Sequence, residues 1–338
     1  MIPIPFELEV ALFGALCLCA VSYDLIERRI PDALNYGLIL LGAAFGINAA
    51  GTQNALGYAG FVAFSFAFAY AIYKAGAWAG GDVKFFTALC AFLPAISPRY
   101  SVVSPLALFL ISAALLAPVT LLAHWGRIKP KEGWVKRAGK ALEASLPASL
   151  VSAGVQPVFY LFSANIAYVL LLAALLYVAR IPAWLSVPAF AASLLAFPNG
   201  GQIASAAYAL AILSLVSMLI RCYPDFSAAL RRSVPVGELK PGDIPAQTIV
   251  VHNRKPLVVR NPGLPSLLRS ALAMDATALK NAFPGKEMAV ADSMRAMGLA
   301  ARQIEQLKKL GVKSIYVKES LPYAPVILAA YPIVWWLV

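Results

Sequence analysis

Long apolar segments, separated by short polar stretches, recur along most of this sequence. They fall at residues 6–22, 34–50, 56–73, 83–97, 102–123, 157–179, 183–197, 202–220 and 324–338. A helix needs about 17–25 predominantly apolar residues to cross the hydrocarbon core of a bilayer. The whole chain is 61% hydrophobic and only 13% charged, a composition that soluble domains do not need. The sequence therefore predicts a polytopic α-helical membrane protein with about eight spans.

Residues 183–197 are the predicted exception among these segments. The segment contains about 15 residues, fewer than a crossing needs, and it includes Pro188 and follows Pro182. Counting it as a span would also place the basic C-terminal part of the chain outside the cell, against the usual charge bias of cytoplasmic loops. We therefore predict a re-entrant segment, or one that packs along the helical bundle.

A basic stretch at residues 124–140 sets the predicted orientation. Its single acid, Glu132, is outnumbered by Arg127, Lys129, Lys131, Lys136, Arg137 and Lys140. Because basic loops of membrane proteins stay in the cytoplasm, counting spans back from this stretch places the N-terminus outside. We predict a multi-pass protein of the plasma membrane. The net charge is +12. Because loops of membrane proteins carry lysine and arginine for orientation, this charge does not indicate a nucleic-acid partner, and none is predicted.

The C-terminal part of the chain is richer in charged residues and is interrupted by proline and glycine. Residues 247–251 and 257–260 have the pattern of a β-hairpin, residues 299–310 have helical periodicity before Gly311, and residues 314–317 resemble a strand. We predict a helical membrane domain at 1–220, a small cytoplasmic α+β domain at 221–322 and a C-terminal membrane segment at 323–338.

Acidic residues are rare in the first membrane segments. Between residues 10 and 131 the only acids are Asp24, Glu27, Asp32 and Asp82. Two predicted spans separate the first three from Asp82, so all four should lie at one membrane face. An ionised acid at a membrane boundary is costly and is a functional candidate by default.

A pair of carboxylates can catalyse peptide hydrolysis. Two acids held close cannot both ionise cheaply, so one keeps its proton. The ionised acid then activates a water while the protonated one polarises a carbonyl, which makes Asp24 and Asp82 the candidate catalytic pair. The alternative is structural: Asp24 caps a helix or pairs with Arg28 or Arg29, and Asp82 caps the helix that follows it.

Other catalytic chemistries find no support in the sequence. The four cysteines form no CxxC pair and the only histidines are His124 and His252, so we predict no metal site and no cofactor. There is also no G-x-S-x-G and no H-E-x-x-H motif, which excludes two common hydrolase patterns.

Two stretches resemble a known family. The sequence Asp24…Arg28-Arg29-Ile30-Pro31-Asp32, together with Ala79-Gly80-Gly81-Asp82-Val83-Lys84, is similar to the type IV prepilin peptidases, in their archaeal prepilin and preflagellin branch. The second motif of that family is usually written G-x-G-D, and Ala79 stands here in place of its first glycine. The first motif usually continues Ile-Pro-Asn, and Asp32 replaces the asparagine.

The resemblance implies a membrane aspartyl endopeptidase that removes the short basic leader of prepilin-like or prearchaellin precursors on the cytoplasmic side. It implies that Asp24 and Asp82 are catalytic. Four residues of the two motifs are expected to support the site: Pro31, Gly80, Gly81 and Lys84.

Glu27 and Asp32 are candidates for binding the basic leader, because no catalytic role is evident for them. Glu27 pairing with a neighbouring arginine is an equally good interpretation. Two other functions stay open: a presenilin-like intramembrane protease, which also uses a G-x-G-D aspartate, and a proton-coupled transporter with the same acids as a relay.

Overall fold

The computed structural model describes residues 5–74, 77–97, 100–123, 133–161, 166–179, 182–196, 201–252, 255–259, 289–291, 298–319 and 321–337. The chain forms two compact units. The larger unit consists of Met1–Ala67, Lys84–Phe226 and Pro322–Val338, and the smaller unit consists of Phe68–Val83 and Ser227–Leu321.

Most of the described chain is helical. The helices are α1 (Phe6–Glu27), α2 (Asp32–Ala50), α3 (Ala55–Lys74), α4 (Gly80–Ile96), α5 (Val103–Ala123), α6 (Trp134–Leu161), α7 (Ile166–Ala179), α8 (Ala183–Ala196), α9 (Gly201–Ala229), α10 (Ala301–Lys309) and α11 (Ala324–Leu337). The strands are β1 (Arg231–Pro235), β2 (Ile244–Pro245), β3 (Thr248–His252), β4 (Lys255–Val259), β5 (Ala289–Ala291) and β6 (Ser314–Lys318).

Five helices, α1, α2, α3, α5 and α9, contain segments long and apolar enough to cross a membrane. The remaining apolar helices are shorter: α4 has 17 residues, whereas α8 and α11 have 14 each. A mostly helical chain with several candidate spans is therefore confirmed. The number eight stays a prediction.

Helix α6 differs from the prediction at both of its ends. It begins at Trp134, inside the stretch that was predicted to be a basic loop, and residues 124–132 of that stretch lie outside the described residues. The predicted segment 157–179 is divided between α6 and α7, which pack against each other. Hydropathy does not detect the first part of α6, because the buried stripe of that helix consists of small side chains, namely Ala141, Ser145, Ala148 and Ser152.

Helix α8 is the short segment that was predicted not to span. It packs against α6, where the Ser193 hydroxyl donates a hydrogen bond to the Gly154 carbonyl at 2.6 Å. Pro188 lies inside the helix. The observed length agrees with the prediction, whereas a re-entrant course stays a prediction.

The core of the larger unit is built on α4, whose Phe85, Phe86 and Leu89 side chains are almost fully buried. Helix α2 approaches α4 through glycines. A Cβ atom added at Gly42 would lie 2.7 Å from the Ala88 carbonyl oxygen, closer than van der Waals contact allows. Gly46 is tighter still, since its added Cβ would overlap the Ala91 carbonyl oxygen.

The smaller unit contains two three-stranded antiparallel sheets, in the orders β1-β6-β2 and β4-β3-β5. The hairpin β3–β4, helix α10 and strand β6 confirm the predicted elements, and Gly311 follows α10 with a φ of +69°. Residues 253 and 254, which join the hairpin strands, lie outside the described residues. Helix α10 contributes Ile304 and Leu307 to a core that also contains Ile249 and Ile315.

Candidate active site

Asp24 lies in the last turn of α1 and is buried, with 7% of its surface exposed. Helix α1 ends because Arg28 adopts a left-handed conformation, with φ 56°, and donates its backbone N–H to the Asp24 carbonyl at 3.1 Å. Arg28 is the one non-glycine residue with positive φ among those that the structure describes. This conformation is costly for a side chain with a Cβ, so backbone strain is located four residues after the candidate acid.

The Asp24 carboxylate makes a contact that links the two ends of the sequence. Its Oδ2 accepts a hydrogen bond from the backbone N–H of Ala324 at 3.0 Å. Ala324 is the first residue of α11, a helix that packs against α1 and α5. The first N–H groups of a helix have no partner within that helix, and here Asp24 supplies one.

Asp82 lies in the first turn of α4 and is also buried, with 8% of its surface exposed. Its Oδ2 accepts the backbone N–H of Ala79 at 2.8 Å. An acid that reaches back to the N–H just before its own helix forms half of a capping box. Helix capping, the structural alternative for Asp82, is therefore observed. For Asp24 the capped helix is α11 rather than a neighbour in sequence.

The two candidate catalytic acids fall in different units, Asp24 in the larger and Asp82 in the smaller. Their pairing stays a prediction.

Lys84 and Asp32 form a salt bridge within the larger unit. The distance from Lys84 Nζ to Asp32 Oδ1 is 2.6 Å, and the two side chains are 24% and 64% exposed, respectively. The ammonium also lies 4.5 Å from the ring centroid of Tyr36. Helix α2 begins at Asp32, directly after Pro31, whose carbonyl accepts the Asn35 N–H at 3.1 Å. Pro31 is thus the N-cap residue of α2, and the first residue of that helix, Asp32, contacts Lys84.

The remaining predicted site residues are Glu27, which is exposed, and two glycines at the start of α4. Glu27 is exposed at the end of α1, and no ion pair of Glu27 is found within the described part of the chain. Gly80 and Gly81 form the first turn of α4. A Cβ atom added at Gly80 would meet nothing within 4 Å, so the chain's own packing does not require a glycine there.

Sequence reasoning missed the residues that surround Asp24 from the far end of the chain. Tyr323 directly precedes Ala324, and its hydroxyl lies 3.0 Å from Ser112 Oγ in a buried hydrogen bond. No local pattern connects Asp24 with a residue 300 positions later. In the described residues there is no group of three or more His, Cys, Asp or Glu side chains that could hold a metal ion.

Two family comparisons match this chain. Residues 11–122 match the type IV leader peptidase family, and residues 205–315 match the archaeal peptidase A24 C-terminal domain. The chain belongs to the type IV leader peptidase family. Its members are aspartic-type peptidases, so the predicted family and enzyme class are confirmed, and prepilin-type precursors are the substrate class. No curated protein and no solved structure matches the chain.

The first matched region of this leader peptidase contains every candidate site residue, since it extends from residue 11 to residue 122. The second covers nearly all of α9 and most of the strands of the two sheets. Helix α11, which contacts Asp24, lies beyond both matched regions. The family and the apolar helices together indicate a membrane protein.

Proposed function

We propose that this peptidase removes the short basic leader of type IV prepilin-like or prearchaellin precursors at the cytoplasmic face of the plasma membrane, with Asp24 and Asp82 as its catalytic pair. One observation carries the choice of acids. Of the four acids within residues 11–122, Asp24 and Asp82 are buried, whereas Glu27 and Asp32 are exposed. A buried carboxylate is expensive unless it is paired or functional.

The proposed mechanism uses the two acids in opposite protonation states. The ionised carboxylate accepts a proton from water as the water oxygen attacks the scissile carbonyl carbon. The protonated carboxyl donates a hydrogen bond to the carbonyl oxygen and stabilises the charge that develops there. The carbon–nitrogen bond then breaks, and the departing amine takes a proton from the pair. The two acids therefore titrate as a unit.

Supporting roles are proposed for the residues next to the acids. The first turn of α4 contains Gly80 and Gly81, and the open space around Gly80 suits the approach of a substrate backbone. Lys84 holds the beginning of α2 through its salt bridge to Asp32. Pro31 supports the same turn, because its carbonyl accepts the Asn35 N–H. We propose that Glu27 and Asp32 attract the basic leader. Glu27 should attract the leader more strongly than Asp32 does, because the charge of Asp32 is already paired with the Lys84 ammonium.

The test compares buried acids with exposed ones. Asp24→Asn and Asp82→Asn should each abolish cleavage of a co-expressed precursor in a gel-shift assay, because neither amide can exchange the required proton. Glu27→Gln and Asp32→Asn are matched controls that should retain most activity. A chelator and a serine-directed reagent should leave cleavage unchanged. Substantial cleavage by a correctly inserted Asp24→Asn or Asp82→Asn variant would rule out the pair.

A further inference from the structure

We infer that helix α11, at the C-terminal end of the chain, is part of the active site, and that the hydrogen bond between Tyr323 and Ser112 positions the Asp24 carboxylate through it. This inference rests on the proposed function, because it takes Asp24 to be catalytic. It assigns a role to a helix that neither family match covers.

The contact between α11 and Asp24 is direct and shielded from solvent. Asp24 Oδ2 accepts the Ala324 N–H at 3.0 Å, and Ala324 has no exposed surface. An N–H at the start of a helix favours a negative charge through both the hydrogen bond and the helix dipole. One carboxylate oxygen is thereby fixed in place, which sets the direction in which Oδ1 faces.

Helix α11 and the residue before it are held in place by side-chain hydrogen bonds to two other helices. The Tyr323 hydroxyl and Ser112 Oγ lie 3.0 Å apart, which ties the residue before α11 to α5. Further along α11, the Tyr331 hydroxyl donates to the Leu89 carbonyl at 2.9 Å. The Trp335 indole N–H donates to the Ile96 carbonyl at 2.9 Å. Both of these acceptors belong to α4, so α11 is fixed against two neighbours along its length.

The position of Tyr323 separates its role from that of Tyr331. Tyr323 directly precedes Ala324, the residue that donates to Asp24, whereas Tyr331 lies two turns further along α11. Both hydroxyls are hydrogen-bonded and buried. Loss of either hydroxyl should weaken the docking of α11 to a similar extent. Only the loss at Tyr323 should disturb the geometry at Asp24, which makes Tyr323 and Ser112 positioning residues.

The matched pair Tyr323→Phe and Tyr331→Phe tests this assignment. We expect similar losses of thermal stability from both. Tyr323→Phe should lower kcat roughly three- to tenfold, with little change in KM. It should also shift the limb of the pH–activity profile that Asp24 controls. Tyr331→Phe should leave the profile unchanged. Ser112→Ala should reproduce the effect of Tyr323→Phe, and the double variant should be no worse than either, because both remove one interaction.

A second pair of variants removes the N–H itself. Ala324→Pro deletes the donor at a helix position that tolerates proline, and Ala324→Val adds bulk while keeping the donor. We expect Ala324→Pro to lower kcat roughly 10- to 100-fold relative to Ala324→Val. The limb that Asp24 controls should move to higher pH, because the charged carboxylate has lost a donor.

The outcomes distinguish this inference from the proposed function. If Asp24→Asn is inactive but Ala324→Pro and Tyr323→Phe behave like their matched controls, the role of α11 is wrong and the catalytic pair stands. If a correctly inserted Asp24→Asn variant is active, the proposed function itself fails. If Ala324→Pro does not fold, Tyr323→Phe and Ser112→Ala decide: a shared shift of the pH profile supports the inference, and an unchanged profile overturns it.

Discussion

Lys84 Nζ lies 2.6 Å from Asp32 Oδ1, and this salt bridge joins the second turn of α4 to the first turn of α2. The bridge links the two motifs that carry the family resemblance. It also changes the expected roles of the exposed acids, because Asp32 is partly neutralised while Glu27 is not.

The first prediction concerns recognition of a basic leader. Glu27→Lys should raise KM roughly two- to fivefold with little change in kcat, because exposed charges contribute weakly to binding. Asp32→Lys should raise KM less, since Lys84 already counters that charge. The double variant should also discriminate less against a leader whose basic residues are neutralised. Equal penalties on basic and neutral leaders would show that these acids serve the fold instead.

The second prediction concerns the close packing of α2 on α4. Gly46→Ala places a methyl group against the Ala91 carbonyl and should destabilise the protein by about 1–3 kcal/mol, measured by reversible denaturation in detergent. Gly37→Ala is the control in the same helix, since an added Cβ there meets nothing within 4 Å. It should be neutral or stabilise by up to about 1 kcal/mol. Equal effects from the two substitutions would contradict the observed packing.

The third prediction concerns the strained turn after α1. Arg28→Val should be less stable than Arg28→Asn by about 1–2 kcal/mol, because a β-branched residue resists the left-handed conformation and asparagine tolerates it. Both variants lose the same positive charge, so their difference isolates the backbone. The same pair at Arg29, a residue without positive φ, should differ much less. A stable Arg28→Val variant would show that the turn can rearrange.

The fourth prediction concerns membrane topology. On a cysteine-free background, Gln53→Cys in the exposed turn between α2 and α3 should react with an impermeant reagent from outside the cell. Lys313→Cys, in the exposed loop between α10 and β6, should react only after the membrane is opened. Labelling of residue 313 from outside would mean that the predicted orientation of the C-terminal part is wrong.

Residues close in sequence were the ones that sequence reasoning predicted well. The β3–β4 hairpin, helix α10 and strand β6 follow from local periodicity and from Gly311, so each could be inferred without knowledge of the rest of the fold. The motif residues around Asp24 and Asp82 were likewise recognisable from their spacing. They lie within the region that matches the family, and their roles stay a prediction.

Features that depend on tertiary packing were missed. The first part of α6 was missed because its buried face consists of alanine and serine, which hydropathy does not separate from a loop. The last residues of α6 were instead predicted to form one segment with α7. The approach of Gly46 to Ala91 and the salt bridge from Lys84 to Asp32 each join different helices. The bond from Ala324 to Asp24 spans 300 positions, and no periodicity extends over that distance.

The hydrogen bond from Ala324 to Asp24 also has a consequence during biosynthesis, because its two partners are synthesised at different times. The ribosome releases α1 early, whereas the donor at Ala324 emerges 300 residues after Asp24. Every nascent or truncated chain that ends before α11 contains Asp24 without this partner. A protease whose acid is oriented by a helix 300 positions later acquires its full activity only after that helix has been made, so translation products that stop before α11 should cleave less efficiently.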